Sequence, residues 1–213
     1  MTAAHWHKVA KDVHVIGFEP DPAECKRLNW QTKSSPFKSE EHFAVALSGA
    51  DGDRTFYVTR DPACSSLYKP NKKWFEHDNG DPDRADVIET RNIYTRSLRS
   101  FCNEQVRWPD FIKIDAQGAE GEILNGYTFL AGAYGVEVEV LALPLYSGIE
   151  HTSFIVQAIL NLHGFRPWAI QPMYWMVRGR RRIAYMNMLY LNEAKLESPD
   201  MEIVFDVYSE WLL

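Results

Sequence analysis

The run Asp110-Phe111-Ile112-Lys113-Ile114-Asp115-Ala116-Gln117-Gly118-Ala119-Glu120 closes an apolar stretch on a carboxylate and follows it with a small turn containing glycine. An aspartate so placed can take a hydroxyl proton as a general base or orient a bound group. It can equally cap a helix over residues 117–124. Gln117 offers an amide to a cofactor, to a substrate or to the turn itself. In Val136-Glu137-Val138-Glu139-Val140 the alternation of a strand sets both acids on one face. Buried carboxylates need partners. Lys113 on a neighbouring strand is a candidate partner, and a catalytic or substrate-binding role is the alternative. Glu19 ends another apolar run, where an acid can accept hydrogen bonds from both ribose hydroxyls or tie down the following turn. Ala46-Leu47-Ser48 ends a further one, and Leu47 can pack on an adenine or in the core. A metal site from Asp115, Glu137 and Glu139 lacks a histidine at ligand spacing.

Other residues invite weaker readings. His151, at the start of a helix, is either a base at the mouth of a cleft or a surface residue. Trp168, Tyr174 and Trp175 are core or rim residues, or a platform for stacking sugars. Arg178-Gly179-Arg180-Arg181-Arg182 is a solvated loop or an anion contact.

These residues need strands to carry them and turns to aim them. Residues 13–18 are apolar and β-branched, which predicts a buried parallel strand. Asp21 and Pro22 predict a capped helix over 23–30. Residues 42–48 predict the next strand, an Asp-Gly turn follows, and 54–59 alternate as an edge strand does. The segment 61–86 reads as a long functional loop. Residues 87–94 predict a strand, 97–105 a helix, 111–114 and 134–140 strands, and 120–125 a helix ending at Gly126. A helix over 153–163 precedes strands at 165–170 and 182–191, which form an antiparallel closing pair. Ligands of open α/β sheets bind outside the carboxyl ends of the strands, where Glu19, Ser48, Asp115 and Glu139 fall.

The chain has 213 residues, enough for one α/β domain with a large core. Its net charge of −6 supplies no footprint for nucleic acid. Cys25, Cys64 and Cys102 form neither a zinc pattern nor a CxxC pair, which suits a reducing compartment. No apolar leader opens the chain and no run of about 18 apolar residues exists. A cytoplasmic protein without a membrane span is the expectation.

Four motifs in order carry a resemblance. They are Gly17-Phe18-Glu19-Pro20-Asp21-Pro22; Ala46-Leu47-Ser48 with its Asp-Gly turn; Phe111 to Glu120; and Val136 to Val140 with Pro144-Leu145-Tyr146 after it. With Ser65-Ser66-Leu67 they resemble the FkbM family of S-adenosylmethionine-dependent methyltransferases over roughly residues 14–192. The resemblance implies a Rossmann-like class I methyltransferase fold, α/β and mostly parallel with a late antiparallel strand. It implies methylation of a hydroxyl on a sugar, glycan or secondary metabolite. Glu19, Asp21, Ala46, Leu47, Ser48, Asp115 and Gln117 would bind S-adenosylmethionine, and Asp115 and Glu139 would be catalytic. Such proteins begin with a further strand and a glycine-rich loop, whereas here about a dozen residues precede the first strand and no glycine precedes Gly17. The expectation is a single, N-terminally incomplete domain over 1–213. It would bind cofactor poorly, self-associate through open strand edges, or pair the 13–18 and 111–114 strands directly. A degenerate, non-catalytic member of the fold is the alternative function.

Overall fold

The computed structural model describes residues 4–77, 81–149 and 152–212. A 3-10 segment, Ala4–Asp12, leads into β1 (His14–Phe18). Asp21 then caps α1 (Pro22–Gln31), accepting from Ala23 N at 2.8 Å and Glu24 N at 3.0 Å, as its position before Pro22 predicts. Next come β2 (Ser39–Phe43), β3 (Ala46–Ser48), β4 (Gly52–Thr59) and the one-turn helix α2 (Lys72–Phe75). β5 (Val87–Ser97) feeds α3 (Leu98–Gln105), whose Ser97 cap accepts from Ser100 N. β6 (Phe111–Ile114), α4 (Glu120–Asn125), β7 (Gly135–Leu141) and α5 (Thr152–Leu162) follow. The hairpin β8 (Phe165–Val177) and β9 (Arg180–Asn192) and a short helix α6 (Met201–Val207) complete the order.

The strands form three sheets: β1-β2, β3-β5-β4 and β6-β7-β9-β8. Pairing is parallel for β1·β2, β3·β5 and β6·β7, and antiparallel for β4·β5, β7·β9 and β8·β9. The fold is therefore mixed α/β in several sheets. The single strand expected over 42–48 is divided, because Val45 N–H bonds back to Phe43 O at 2.8 Å and turns the chain between two sheets. The strand at 13–18 is not buried: β1 is half-buried, with His14 exposed. Among the described residues its strand partner is β2 alone, and it does not pair with β6.

The four-stranded sheet is the best-packed region. On one face Ile112, Ile114, Val136, Val138 and Val140 meet Ile123 and Leu124 of α4 and Val156 and Leu160 of α5. On the other, Leu189 and Leu191 meet Met201, Val204 and Val207 of α6, with Trp6 and Phe111 packed alongside. β8 and β9 run longer than their apolar stretches because Arg178 (φ 51) and Gly179 (φ 74) make a two-residue hairpin turn that needs positive φ at both positions. The smaller sheets join this core through Phe18 and Phe43, whose rings stand 4.7 and 4.8 Å from that of Phe101 on α3. Asp51 locks the Asp-Gly turn to α3, its Oδ1 accepting from Ser97 N at 2.7 Å and Ser100 Oγ at 2.6 Å. Gly126, at the end of α4, passes so close to Gly49 O that a side chain there would collide with it.

Candidate active site at the ends of β6 and β7

β6 and β7 run parallel with Lys113 opposite Glu137, so Lys113, Asp115, Glu137 and Glu139 belong to one face. The loop after β6 is shaped by a buried acid. Glu120, fully buried at the start of α4, folds back and accepts from Ala116 N at 2.9 Å and Gly118 N at 3.0 Å. Burial pushes this carboxyl up to about 7 against the pull of those N–H groups, and the Asp115 charge adds to the rise. Gln117 (φ 51) and Gly118 (φ 105) hold left-handed backbone in this turn. The φ of Gly118 favours glycine, and an added side chain would also press on the end of the Ile149 side chain.

Asp115 is exposed and does not cap the helix: the cap position of α4 is Ala119, with no side-chain bond. Its Oδ1 instead accepts from Gln117 Nε2 at 2.7 Å. Gln117 Oε1 accepts in turn from the buried Tyr146 hydroxyl at 2.8 Å, and Gln117 O accepts from Ser66 Oγ at 2.7 Å. Asp115 is thus oriented by an amide that is itself gripped at both ends. Glu139 is half-buried beside them. Burial, then the charges of Asp115 and Glu120, push its carboxyl up to about 8, while Lys113 and Gln117 oppose the rise. Three carboxyls therefore lie close enough to feel one another, Asp115 exposed, Glu139 half-buried and Glu120 enclosed beneath the loop, with the last two pushed up towards neutrality.

Glu137 has the opposite fate. It is buried, paired with Lys113, and accepts from Tyr208 Oη at 2.6 Å, with His5 Nε2 3.4 Å away. Burial alone raises its carboxyl, but the His5 ring, the Lys113 charge and the Tyr208 hydroxyl outweigh it and hold the group down at about 2. It is a structural anion, whereas its neighbour two residues on is free to exchange a proton.

The nucleoside-type residues lie on the smaller sheets. Glu19 follows β1 half-buried, with Oε1 accepting from Asp21 N at 2.8 Å. No donor among the described residues reaches its second oxygen. Burial raises its carboxyl. Asp21 is occupied: Oδ1 caps α1 and Oδ2 takes Arg91 Nη1 at 3.1 Å. Ser48 is buried and spends its hydroxyl on Ala50 O and Thr95 Oγ1, and Ala46 is core. Leu47 is half-buried and packs on the same apolar cluster as Phe18, Ile114 and Ala116. That cluster links the Glu19 half to the Asp115 half, together with the hydrogen bonds from Ser66 to Gln117 O and from Arg54 to Glu122.

Glu120, Tyr146 and Ser66 also belong to the site, and each lies within one of the sequence motifs above. Their roles depend on which way a turn folds, which spacing does not reveal. Trp175 is buried against Phe75, Trp168 packs on Phe205, and Tyr174 lies under Arg181 at 4.1 Å, so the three aromatics form no shared platform. Arg182 stacks over Trp74, which removes it from an anion cluster. His151 lies outside the described residues. Among the described residues no group of His, Cys, Asp and Glu could hold a metal ion, and no helix is long and apolar enough to cross a membrane.

A mixed α/β fold with acids at the carboxyl ends of adjacent parallel strands defines the class of site. The chain belongs to the FkbM methyltransferase family: the profile of the methyltransferase FkbM domain matches residues 2–167. No curated protein and no solved structure matches the chain.

Proposed function

We propose that this protein is an S-adenosylmethionine-dependent O-methyltransferase acting on a hydroxyl of a sugar, glycan or secondary metabolite, with a Rossmann-like arrangement of its parallel strands. The observation that carries the reading is the placement of Asp115, oriented by Gln117, and half-buried Glu139 on one face at the ends of β6 and β7 in an FkbM domain. Family membership is what points to S-adenosylmethionine, and the chemistry of Glu19 fits a nucleoside group. Its second carboxylate oxygen carries no donor among the described residues and can accept from a ribose hydroxyl. Leu47 supplies an apolar surface on the cluster that Phe18, the residue before Glu19, also joins. When bound, S-adenosylmethionine supplies an electrophilic methyl group.

The remaining work falls to side chains. Asp115, exposed, accepts the acceptor's hydroxyl proton or orients that hydroxyl through a hydrogen bond. Glu139, its carboxyl pushed up to about 8 chiefly by burial, suits a base working close to neutrality. Gln117, clamped by Tyr146 and Ser66, fixes the Asp115 carboxylate so that little orientational freedom is lost on binding. Glu120 does not touch the acceptor in this reading; it holds the loop shape.

The test is titration calorimetry with S-adenosylmethionine, followed by transfer of labelled methyl to a panel of hydroxyl acceptors. Glu19→Ala removes a charged hydrogen-bond acceptor and is expected to weaken cofactor binding by about 1.5–3 kcal/mol. Unchanged affinity in that variant would remove the ribose role. Intact binding with no transfer to any acceptor class would favour a non-catalytic binding module.

A further inference from the structure

On the sheet face that carries Glu137 and Glu139, apolar cover stops and then starts again. Opposite residues of paired strands share a face, so the register gives this face row by row. Glu137, Leu189 and Ala169 form one row across β7, β9 and β8. All three are buried, and Leu189 and Ala169 pack with α6. Leu141, Tyr185 and Met173 form another row further along β7, where Leu141 and Tyr185 join the apolar cluster of Tyr146 and Trp175. Between these lies a row that neither cluster covers. It consists of Glu139 and Asn187, both half-buried, and Gln171, exposed. The result is a polar strip that begins at Glu139 and runs out to the edge strand β8.

The fold itself makes no use of the two amides. Asn187 interrupts the apolar run 183–191 of β9, a strand flanked on both sides, and asparagine is disfavoured in strands. Among the described residues neither the Asn187 nor the Gln171 side chain has a hydrogen-bond partner. A half-buried carboxamide left unbonded needs a partner from solution. Each carboxamide both donates and accepts, and neither carries charge. The acids Glu139 and Asp115 beside them disfavour an anionic ligand. Such a strip suits a neutral molecule whose hydroxyl and ether oxygens lie in a row. Strands are spaced about 4.8 Å apart, so Glu139 to Gln171 spans about 10 Å, a reach for two sugar rings rather than one.

We propose that Asn187 and Gln171 form an acceptor subsite that holds a neutral oligosaccharide across β7, β9 and β8. The reacting hydroxyl lies at Glu139, Asn187 bonds an oxygen beside it, and Gln171 bonds the next ring. The subsite's role rests on the reading of Glu139 as a group that faces the acceptor.

The probes are maltose, cellobiose and lactose, the methyl glycosides of glucose and galactose, and cyclohexanol as a hydroxyl without neighbouring oxygens. In NMR spectra of the full chain, the Asn187 and Gln171 side-chain amide signals should shift with at least one disaccharide and not with cyclohexanol. Asn187→Ala should weaken binding of that disaccharide and of its methyl glycoside alike by roughly two- to tenfold, as for one lost neutral hydrogen bond. Gln171→Ala should weaken the disaccharide by a similar factor and leave the methyl glycoside unchanged, a split that a structural role would not produce. Neither variant should move the melting curve, because neither amide is bonded within the described chain. Binding that depends on both amides, without methyl transfer from S-adenosylmethionine, keeps the subsite and removes the methyltransferase reading. Transfer to a sugar with KM unchanged in both variants keeps that reading and overturns the subsite. A panel in which no saccharide moves either amide signal overturns the subsite too.

Discussion

The two halves that the family reading joins are built to different standards. Around β6 and β7 the strand valines are wholly buried, Glu120 is fully enclosed, and Asp115, Gln117 and Tyr146 form a continuous chain of hydrogen bonds. Around β1 and β3 the residues are mostly half-buried, β1 belongs to a two-stranded sheet, and Glu19 is held by one hydrogen bond. The acid-base half is preorganised by its own packing, so it can keep carboxyls near one another at raised proton affinity. The nucleoside half is carried by local turn chemistry, which water can replace at little cost. Substitutions should therefore be punished unequally on the two sides.

The largest difference should appear in activity. If the proton leaves through Glu139, Glu139→Gln keeps the shape of the site and should lower methyl transfer by roughly 10²–10⁴-fold, with cofactor affinity unchanged. Single-turnover transfer of labelled methyl measures it, and a rate within a few-fold of wild type would move the base to Asp115. Next comes Glu137→Ala. It strands Lys113 and the Tyr208 hydroxyl, and should cost about 3 kcal/mol in a urea melt, the low end for breaking a buried pair because Lys113 keeps some contact with water.

Core truncations sharpen the contrast directly. Leu124→Ala, fully buried beside β6 and β7, should cost about 2–5 kcal/mol, whereas Ile16→Ala on half-buried β1 should cost about 1 kcal/mol. Equal losses would mean that the β1 half is as firmly packed as the other.

A smaller effect should appear with pH. Glu139 and Glu120 have folded values near 8 and 7, above the ordinary 4.5. The folded chain therefore holds protons that the unfolded chain has released. The stability this gives is complete below about pH 4.5 and fades as pH rises through 7 and 8. Glu137 works in the other sense: its contribution is present above 4.5 and is lost as pH falls towards 2. Melts between mildly acidic and mildly alkaline buffer should slope downwards, and Glu139→Gln should flatten part of that slope. Smallest of all, Glu19→Ala should change stability by less than about 1 kcal/mol, since it removes one hydrogen bond at a half-exposed turn.

Much of this was readable from the residues. Asp21 before Pro22 announced its cap, Ser97 the start of α3, and the Val-Glu alternation the shared face of Glu137 and Glu139. What escaped depends on events distant in sequence. The break between β2 and β3 comes from one backbone bond at Val45. The partial exposure of β1 depends on which elements pack on it, which its own apolar run does not encode. Helix α6, only Met201–Val207, is too short to show a clear period, and its contacts are made chiefly by its place over β9. The opposite fates of Glu137 and Glu139 were unreadable because they turn on His5 and Tyr208, which no local pattern connects to them.

That last arrangement bears on how the chain comes to be folded. Tyr208 lies 71 residues beyond Glu137, and the Trp6–Tyr208 hydrogen bond spans 202 residues. Closing so long a loop is slow relative to local pairing. During synthesis β6 and β7 are complete while the hydroxyl that solvates Glu137 has not yet been made. Until it arrives, that strand pair must keep the acid in water or bind a proton to it. The middle of the sheet thus waits for Tyr208, and its docking is the step at which a hydrated carboxylate becomes an interior one.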